Sequence, residues 1–224
     1  MKREFFITAD GSTSIHLPDW NEQYHSKHGA IQEAYHVFIE AGLTNFADTS
    51  TLSILEIGFG TGLNAFITFL ESEKRNLTIR YTGVEAFPLK AEVSKKLNYV
   101  AQLNAITSEA VFAKMHNCSW EKQVEISKKF TLTKKEQDFK DISAVSAFDL
   151  IYFDAFGARV QPELWTEQIF KIMFRALKPN GILVTYSAKG SVRRAMLSAG
   201  FFVEKLPGPI GKREMLRAIK KDPI

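Results

Sequence analysis

Leu52-Ser-Ile-Leu-Glu56-Ile57, running into Gly58-Phe-Gly60-Thr-Gly62 and then Leu63 to Leu70, is the stretch that decides the fold. The apolar run reads as a buried strand, the glycines as a tight turn, and Leu63 to Leu70 as a helix laid on a sheet. Glycine lacks a Cβ atom, so such a turn takes positive φ values and offers its amides to a ligand at the helix N-terminus. The spacing discriminates between ligands. A dinucleotide loop, G-x-G-x-x-G, requires a glycine at position 63; Leu63 stands there, and the third glycine comes one residue early, at Gly62.

The same strand, turn and helix unit recurs further along the chain. Strands are predicted at 79–84, 148–153 and 181–186, and helices at 90–103, 162–177 and 191–199. Alternation of this kind implies a parallel sheet covered on both faces. Between them, 123–126 and 130–133 alternate around Ser127-Lys-Lys129, which reads as a hairpin supplying the third parallel strand and one extra strand. Two strand-like runs, 201–206 and 214–219, flank Pro207-Gly-Pro-Ile-Gly211 and should pair antiparallel. Ahead of the glycine loop, Ile31, Ala34, Tyr35, Phe38 and Ile39 fall at helical spacing between Gly29 and Gly42, after a stretch that reads as polar. The expected architecture is α/β and Rossmann-like. A core over residues 51–224 carries a mostly parallel sheet with an antiparallel C-terminal hairpin, and residues 1–50 form an N-terminal extension with a leading helix.

With 224 residues, 45% hydrophobic and 24% charged, the chain can bury a core without metal or disulfide support. The single cysteine, Cys118, excludes an intrachain disulfide and a cysteine-built zinc site. No apolar run reaches the roughly 18 residues of a membrane span, so a cytoplasmic protein with no membrane partner is expected. His16, His25, His28 and His36 show no metal-ligand spacing and no metal is assigned; His25 or His28, near the entry loop, could contact ligand but read more readily as polar surface residues. The net charge of +4 is unevenly placed. Residues 1–58 hold three basic and eight acidic side chains, a balance of −5, whereas residues 186–221 hold nine basic and two acidic, a balance of +7. The second stretch suits a polyanion, through phosphate contacts and counterion release, or simply a solvated surface.

Acids at strand ends supply the candidate chemistry. Glu56 closes the first strand, Glu85 the second, and Asp154 the fourth, while Asp138 follows the third, with Asp141 as its competitor. In an open α/β sheet the ligand crevice lies beyond these ends, and Glu85 is spaced to accept both hydroxyls of a ribose. Asp154 is the candidate catalytic group, because a carboxylate can hold an amine as its ammonium and help it lose a proton. Phe156, two residues on, is a candidate for stacking on a base, whereas Trp165 reads more readily as a core aromatic.

A G-x-G-x-G loop after an acid resembles the S-adenosyl-L-methionine loop of class I methyltransferases, whose Rossmann-like fold matches the expected sheet. That resemblance implies S-adenosyl-L-methionine as cofactor, with Glu56 near the ammonium of its methionine part and Gly58, Gly60, Gly62 and Asn64 along that end and the ribose. Glu85 would hold the ribose, Asp138 the adenine amine, and Asp154 would lie against cofactor and substrate alike. The N-terminal extension would cover the site.

Further residues narrow the resemblance: Tyr24-His-Ser26 with Gly29 and Glu33, Phe153-Asp-Ala-Phe156 with Pro162 and Trp165, Thr185-Tyr186, and Gly211-Lys-Arg-Glu-Met215. With the glycine loop they span about residues 20 to 218. They resemble the methyltransferase module of the MnmC family of bacterial tRNA 5-methylaminomethyl-2-thiouridine biosynthesis proteins, in its stand-alone MnmD form. The resemblance implies methylation of the primary amine of 5-aminomethyl-2-thiouridine at the tRNA wobble position, giving 5-methylaminomethyl-2-thiouridine. It places Tyr24 and Ser26 near the cofactor, and Asp154 and Phe156 at the reacting amine. It assigns Lys189, Arg193, Arg194, Lys212 and Arg213 to tRNA phosphates, the pair Lys212 and Arg213 being equally suited to bracing the terminal hairpin. It also implies methylation alone, since 224 residues leave no room for the FAD-dependent oxidase of bifunctional relatives. One segment departs from the family, which continues Asp-Ala-Phe with Ala-Pro-x-Lys; here Gly157-Ala-Arg159-Val160 lacks the proline, and arginine is not the equivalent of lysine. Two other readings stay open: a small-molecule N-methyltransferase or aminopropyltransferase on the same fold, and a tRNA-binding protein without catalysis.

Overall fold

The structure is a computed structural model and describes residues 2–47 and 49–222, without the side chain of Ala91. The stretch that reads as polar forms a small antiparallel sheet of β1 (Glu4–Ile7), β2 (Thr13–Leu17) and β3 (Glu22–Gln23). Asp10 turns the chain between β1 and β2, its Oδ1 accepting from the Thr8 hydroxyl at 2.7 Å and the Ser12 amide at 3.0 Å. Ser12, Thr13 and Ser14 are buried together with Ile15 and Leu17, so polarity here does not mean exposure. The leading helix, α1 (Ala30–Ala34), continues through a π-helical stretch, Tyr35–Glu40, and buries Val37, Phe38 and Ile39.

The glycine-rich stretch folds as its pattern predicts, with β4 (Thr51–Ile57) followed by the loop and α2 (Leu63–Arg75). After β5 (Thr78–Glu85) come three short helices, α3 (Ala91–Ser94), α4 (Tyr99–Gln102) and α5 (Glu109–Asn117). A hairpin of β6 (Gln123–Ser127) and β7 (Phe130–Glu136) leads to β8 (Phe148–Phe153), α6 (Glu167–Ala176) and β9 (Leu177–Thr185). The chain closes with α7 (Gly190–Ser198), β10 (Phe202–Pro207) and β11 (Glu214–Ile219). The eight-stranded sheet has the order β10-β11-β9-β8-β4-β5-β7-β6. Strands β9, β8, β4, β5 and β7 run parallel, β6 and β11 run against them, and β10 pairs antiparallel with β11 at the edge. This is the expected mostly parallel sheet, with the expected extra strand β6 and the antiparallel C-terminal pair. Side chains alternate between its faces: Leu52 and Ile54 of β4 join one apolar cluster with Leu150 and Tyr152 of β8, and Leu55 and Ile57 join the other with Ile151 and Phe153. Each such fully buried side chain contributes about 1.5–3 kcal/mol.

Three local expectations need correction. The helix expected over 90–103 is broken between α3 and α4, because Asn98 is drawn to the N-terminal sheet: its Nδ2 donates to Gly11 O at 2.9 Å and its Oδ1 accepts from the Thr13 amide at 2.7 Å. The helix expected from Pro162 begins as a 3₁₀ turn, Pro162–Trp165, and only α6 is regular; the strand after it starts at Leu177 rather than at 181. α5 lies in a segment whose pattern signalled no element, with only Phe112 and Met115 buried. The feature that positions the site is the neighbouring of β4 and β8. From β4 the chain winds outward through β5 and β7 before returning to the other side of β4, and ligands bind beyond the strand ends at such a reversal.

Candidate active site

At the reversal the loops after β4 and β8 are pinned by backbone hydrogen bonds. The Gly58 amide donates to Val84 O and the Asp154 amide to Ile57 O, both at 2.9 Å. Gly58 has φ +88°, and a Cβ atom there would lie 2.7 Å from Asp154 O, so no other residue fits. Phe59 packs on Gly83, where a Cβ would meet its ring at 2.4 Å. Above the two strand ends opens a cavity of about 1070 Å³, at the upper limit of the roughly 300–1,000 Å³ of small-molecule sites. Its floor is the glycine loop, and its walls come from Glu85 to Phe87, Asp138 to Lys140, Asp154 to Gly157 and the segment from Trp20 to Ser26.

Beneath the cavity a buried carboxyl, Glu56, and a half-buried one, Asp154, are joined by one amide. Asn64, in the first turn of α2, donates from Nδ2 to Glu56 Oε1 at 3.0 Å and to Asp154 Oδ2 at 2.9 Å. Glu56 Oε2, Asn64 Oδ1 and the Tyr81 hydroxyl, which faces Glu56, are buried without a hydrogen-bond partner. Burial first, and then the neighbouring Asp154, hold the Glu56 carboxyl well above the usual carboxylate range. Asp154 is pushed up to about 7, by burial and then by Glu33, against the pull of Asn64 and Lys212. A carboxyl of that proton affinity exchanges protons near neutrality, which is what a general base needs.

Glu85 fixes the loop's shape: its Oε2 accepts from the Gly60 amide at 3.0 Å and its Oε1 from the Phe87 amide at 2.9 Å. Asp138 lines the cavity and Asp141 does not. The Asp138 carboxylate accepts from the Lys140 amide at 3.0 Å and meets Lys140 Nζ at 3.2 Å, which holds its carboxyl below the usual range.

The N-terminal segment closes the cavity from the far side. Tyr99 donates to Thr61 Oγ1 at 3.2 Å, Thr61 Oγ1 meets His25 Nε2 at 3.3 Å, and His25 Nδ1 meets Ser14 Oγ at 3.0 Å. Burial pushes His25 down to about 4, so the ring is neutral and bridges the N-terminal sheet to the glycine loop. Tyr24 and Trp20 both stand edge-on to Phe156, with ring centroids 5.0 and 5.7 Å apart. Burial and then Glu85 push the Tyr24 phenol up to about 12. Arg159 ties the departing segment to this wall, donating to Asn21 O at 2.8 Å and Glu22 Oε2 at 3.1 Å. Trp165 is buried and donates to Phe156 O at 2.7 Å, so it buttresses the wall rather than forming it.

A profile described as S-adenosyl-L-methionine-dependent methyltransferase matches residues 101–221. The chain belongs to that family. The methyltransferase is 28% identical over 228 residues to the tRNA 5-methylaminomethyl-2-thiouridine biosynthesis bifunctional protein MnmC of Cupriavidus metallidurans, a match covering 95% of this chain and 33% of that protein. It spans about a third of the length of the curated relatives it matches. The crystal structure of MnmC2 from Aquifex aeolicus superposes with a TM-score of 0.79 at 25% identity, over 100% of this chain and 72% of that one. Spermidine synthase from Thermotoga maritima shares the fold, with a TM-score of 0.54 at 11% identity over 98% of this chain and 79% of that one. The sheet is thus the Rossmann-like one of class I methyltransferases, as expected.

Of the residues singled out in the sequence, the methyltransferase gathers Tyr24, Ser26, Gly58, Gly60, Asn64, Glu85, Asp138, Asp154, Phe156, Lys189 and Lys212 around one cavity. Glu56 sits one layer beneath Asn64, and Gly62 is covered by His116, whose Nε2 would lie 3.2 Å from a Cβ at that position. Arg194 and Arg213 are exposed outside the cavity, and Arg193 is half-buried. His25, which reads as a surface residue, is instead inside the network; only its place between Tyr24 and Ser26 signals this. Trp20, Arg3, Glu33 and Tyr186 also line the cavity. Among the described residues no group of His, Cys, Asp and Glu is placed to hold a metal, and no helix is long and apolar enough to cross a membrane.

Proposed function

We propose that this methyltransferase methylates the primary amine of 5-aminomethyl-2-thiouridine at the tRNA wobble position, with S-adenosyl-L-methionine as donor. The observation that carries the reading is Asp154: a half-buried carboxyl at the end of β8, poised near neutrality and facing a cavity with aromatic walls. The relatives named for 5-methylaminomethyl-2-thiouridine biosynthesis support the substrate. The cavity suits the donor on its own terms. The glycine loop leaves space where a Cβ would intrude, and Asn64 Oδ1 is a buried acceptor without a donor, fitting a cationic amino acid end. Asn64 and Gly58 would hold that end, with Glu56 supporting Asn64 from beneath, Glu85 would hold the ribose and Asp138 the adenine, and the segment over residues 1–50 would cover them.

When bound, S-adenosyl-L-methionine supplies an electrophilic methyl group on a sulfonium. Asp154 keeps Oδ2 on Asn64, so Oδ1 is the atom that receives the substrate's ammonium and takes its proton. Phe156 and Trp20 offer rings to the base that carries the amine and keep water from it. Arg193, Arg194 and Arg213 contact tRNA phosphates outside the cavity, and Lys189 does so at its rim. Incubation with labelled donor and tRNA from a strain lacking the modification, followed by mass spectrometry of the wobble nucleoside, should yield 5-methylaminomethyl-2-thiouridine. Labelling of a free amine with none in that tRNA would refute the substrate.

A further inference from the structure

Lys212 does not behave as a surface lysine. It stands in the loop between β10 and β11, yet its ammonium is half-buried, lies 4.0 Å from the centre of the Tyr186 ring and pairs with Glu33 Oε1, 179 positions earlier in the chain. Glu33 is itself fixed, because its Oε2 accepts the Ser26 amide at 2.9 Å. Tyr186 is fixed too, donating to Ala155 O at 2.8 Å with Trp165 edge-on at 6.0 Å. Glu33, Tyr186 and Lys212 line the same cavity as Asp154.

We infer that Glu33 and Lys212 are a charge-balancing pair for Asp154: Lys212 keeps the carboxyl from being locked in its protonated form, and Glu33 holds Lys212 where it can do so. The inference rests on the reading of Asp154 as proton acceptor and adds the groups that set its working pH. Asp154 faces acids from several sides: Glu56 from β4, by way of Asn64, and Glu33 from α1, with the Tyr81 phenol from β5 and the Tyr186 phenol after β9 close by. Glu22, beyond Tyr186, is already matched by Arg159. Lys212 opposes them at Asp154; of the other cations lining the cavity, Arg159 is paired with Glu22 and Lys140 with Asp138, and Arg3 and Lys189 stand on other walls. A nearby opposite charge favours the charged form of a carboxyl, and a like charge opposes it. Lys212 is therefore a positioning residue for the base rather than a free phosphate contact.

Carbon-13 spectra of the protein labelled at aspartate Cγ, with the Asp154 signal assigned through Asp154→Asn, read the titration directly. Lys212→Met should raise the midpoint by about one pH unit and Glu33→Gln should lower it by a similar amount. The double variant should return near the parent, and Lys212→Arg should stay with it. Midpoints unmoved in both single variants, or moved in the same direction, would overturn the inference. The acid limb of the methylation rate, measured with both substrates saturating, should follow the midpoints. If Asp154→Asn keeps the parental limb, the proton-acceptor reading fails, while the spectroscopic shifts judge the pair by themselves.

Discussion

Replacing Asp154 by asparagine should make the protein more stable and nearly inactive, and the gain should depend on pH. An unfolded chain loses this proton at 3.8 and the folded one at about 7, and each unit is worth about 1.4 kcal/mol. The folded state binds more protons between those values, so this group's contribution to stability falls as pH rises from about 4 through 7. At pH 8 the folded protein therefore carries about 4 kcal/mol of ionisation cost, and at pH 5 about 1–2 kcal/mol. Asparagine removes the titrating group but can turn its carbonyl oxygen to Asn64 Nδ2, preserving the 2.9 Å hydrogen bond. Urea denaturation at the two pH values should show Asp154→Asn ahead of the parent by about 4 kcal/mol at pH 8, shrinking toward pH 5. Turnover should fall by about 10² or more while donor affinity by calorimetry changes only a few-fold. A gain of the same size at both pH values, or a loss at pH 8, would refute the assignment of the stored cost to this carboxyl.

Gly58→Ala should lose about 1–3 kcal/mol in thermal denaturation and weaken donor binding, since its Cβ meets Asp154 O at 2.7 Å and its φ is +88°; unchanged binding would show that the loop is not in contact with the donor. His25→Ala removes the bridge between Ser14 and Thr61, and calorimetry should show weaker donor binding with a stability loss of about 1–3 kcal/mol. Binding at parental strength would confine His25 to folding. Reversing charge at Arg193 and Arg194 should flatten the salt dependence of tRNA binding by about two in log–log slope, and an unaltered slope would remove both from the interface.

Much of the fold is legible because its signals are local. The apolar run 52–57, the glycine spacing and the alternating strands each report on neighbours a few residues away, and β4, β5, β7, β8 and the C-terminal pair all form where the pattern places them. Asp154 was legible for the same reason, as an acid at a strand end. What stayed hidden is set by distant partners. The break before α4 exists because Asn98 bonds to Gly11 and Thr13, more than 80 positions away. The N-terminal strands are short, the Ser12, Thr13 and Ser14 run that opens β2 is polar, and its burial depends on the elements that cover it. The same holds for His25, whose ring is lodged between Thr61 and Ser14 and kept neutral by burial. Lys212 sits in a basic stretch that suits polyanions, and nothing local distinguishes it from its neighbour Arg213.

The pairing of Glu33 with Lys212 across 179 positions has a consequence for biosynthesis. At about 5–20 residues per second, a ribosome needs roughly 10–35 seconds to add the lysine after the glutamate has been made. Once residue 154 has been added, late in that interval, a nascent chain owns the glycine loop and its acids but not their counter-ion. The cleft is therefore among the last parts of the molecule to be completed, and tethered chains stalled short of residue 212 should lack a properly poised site even where the central strands have already paired.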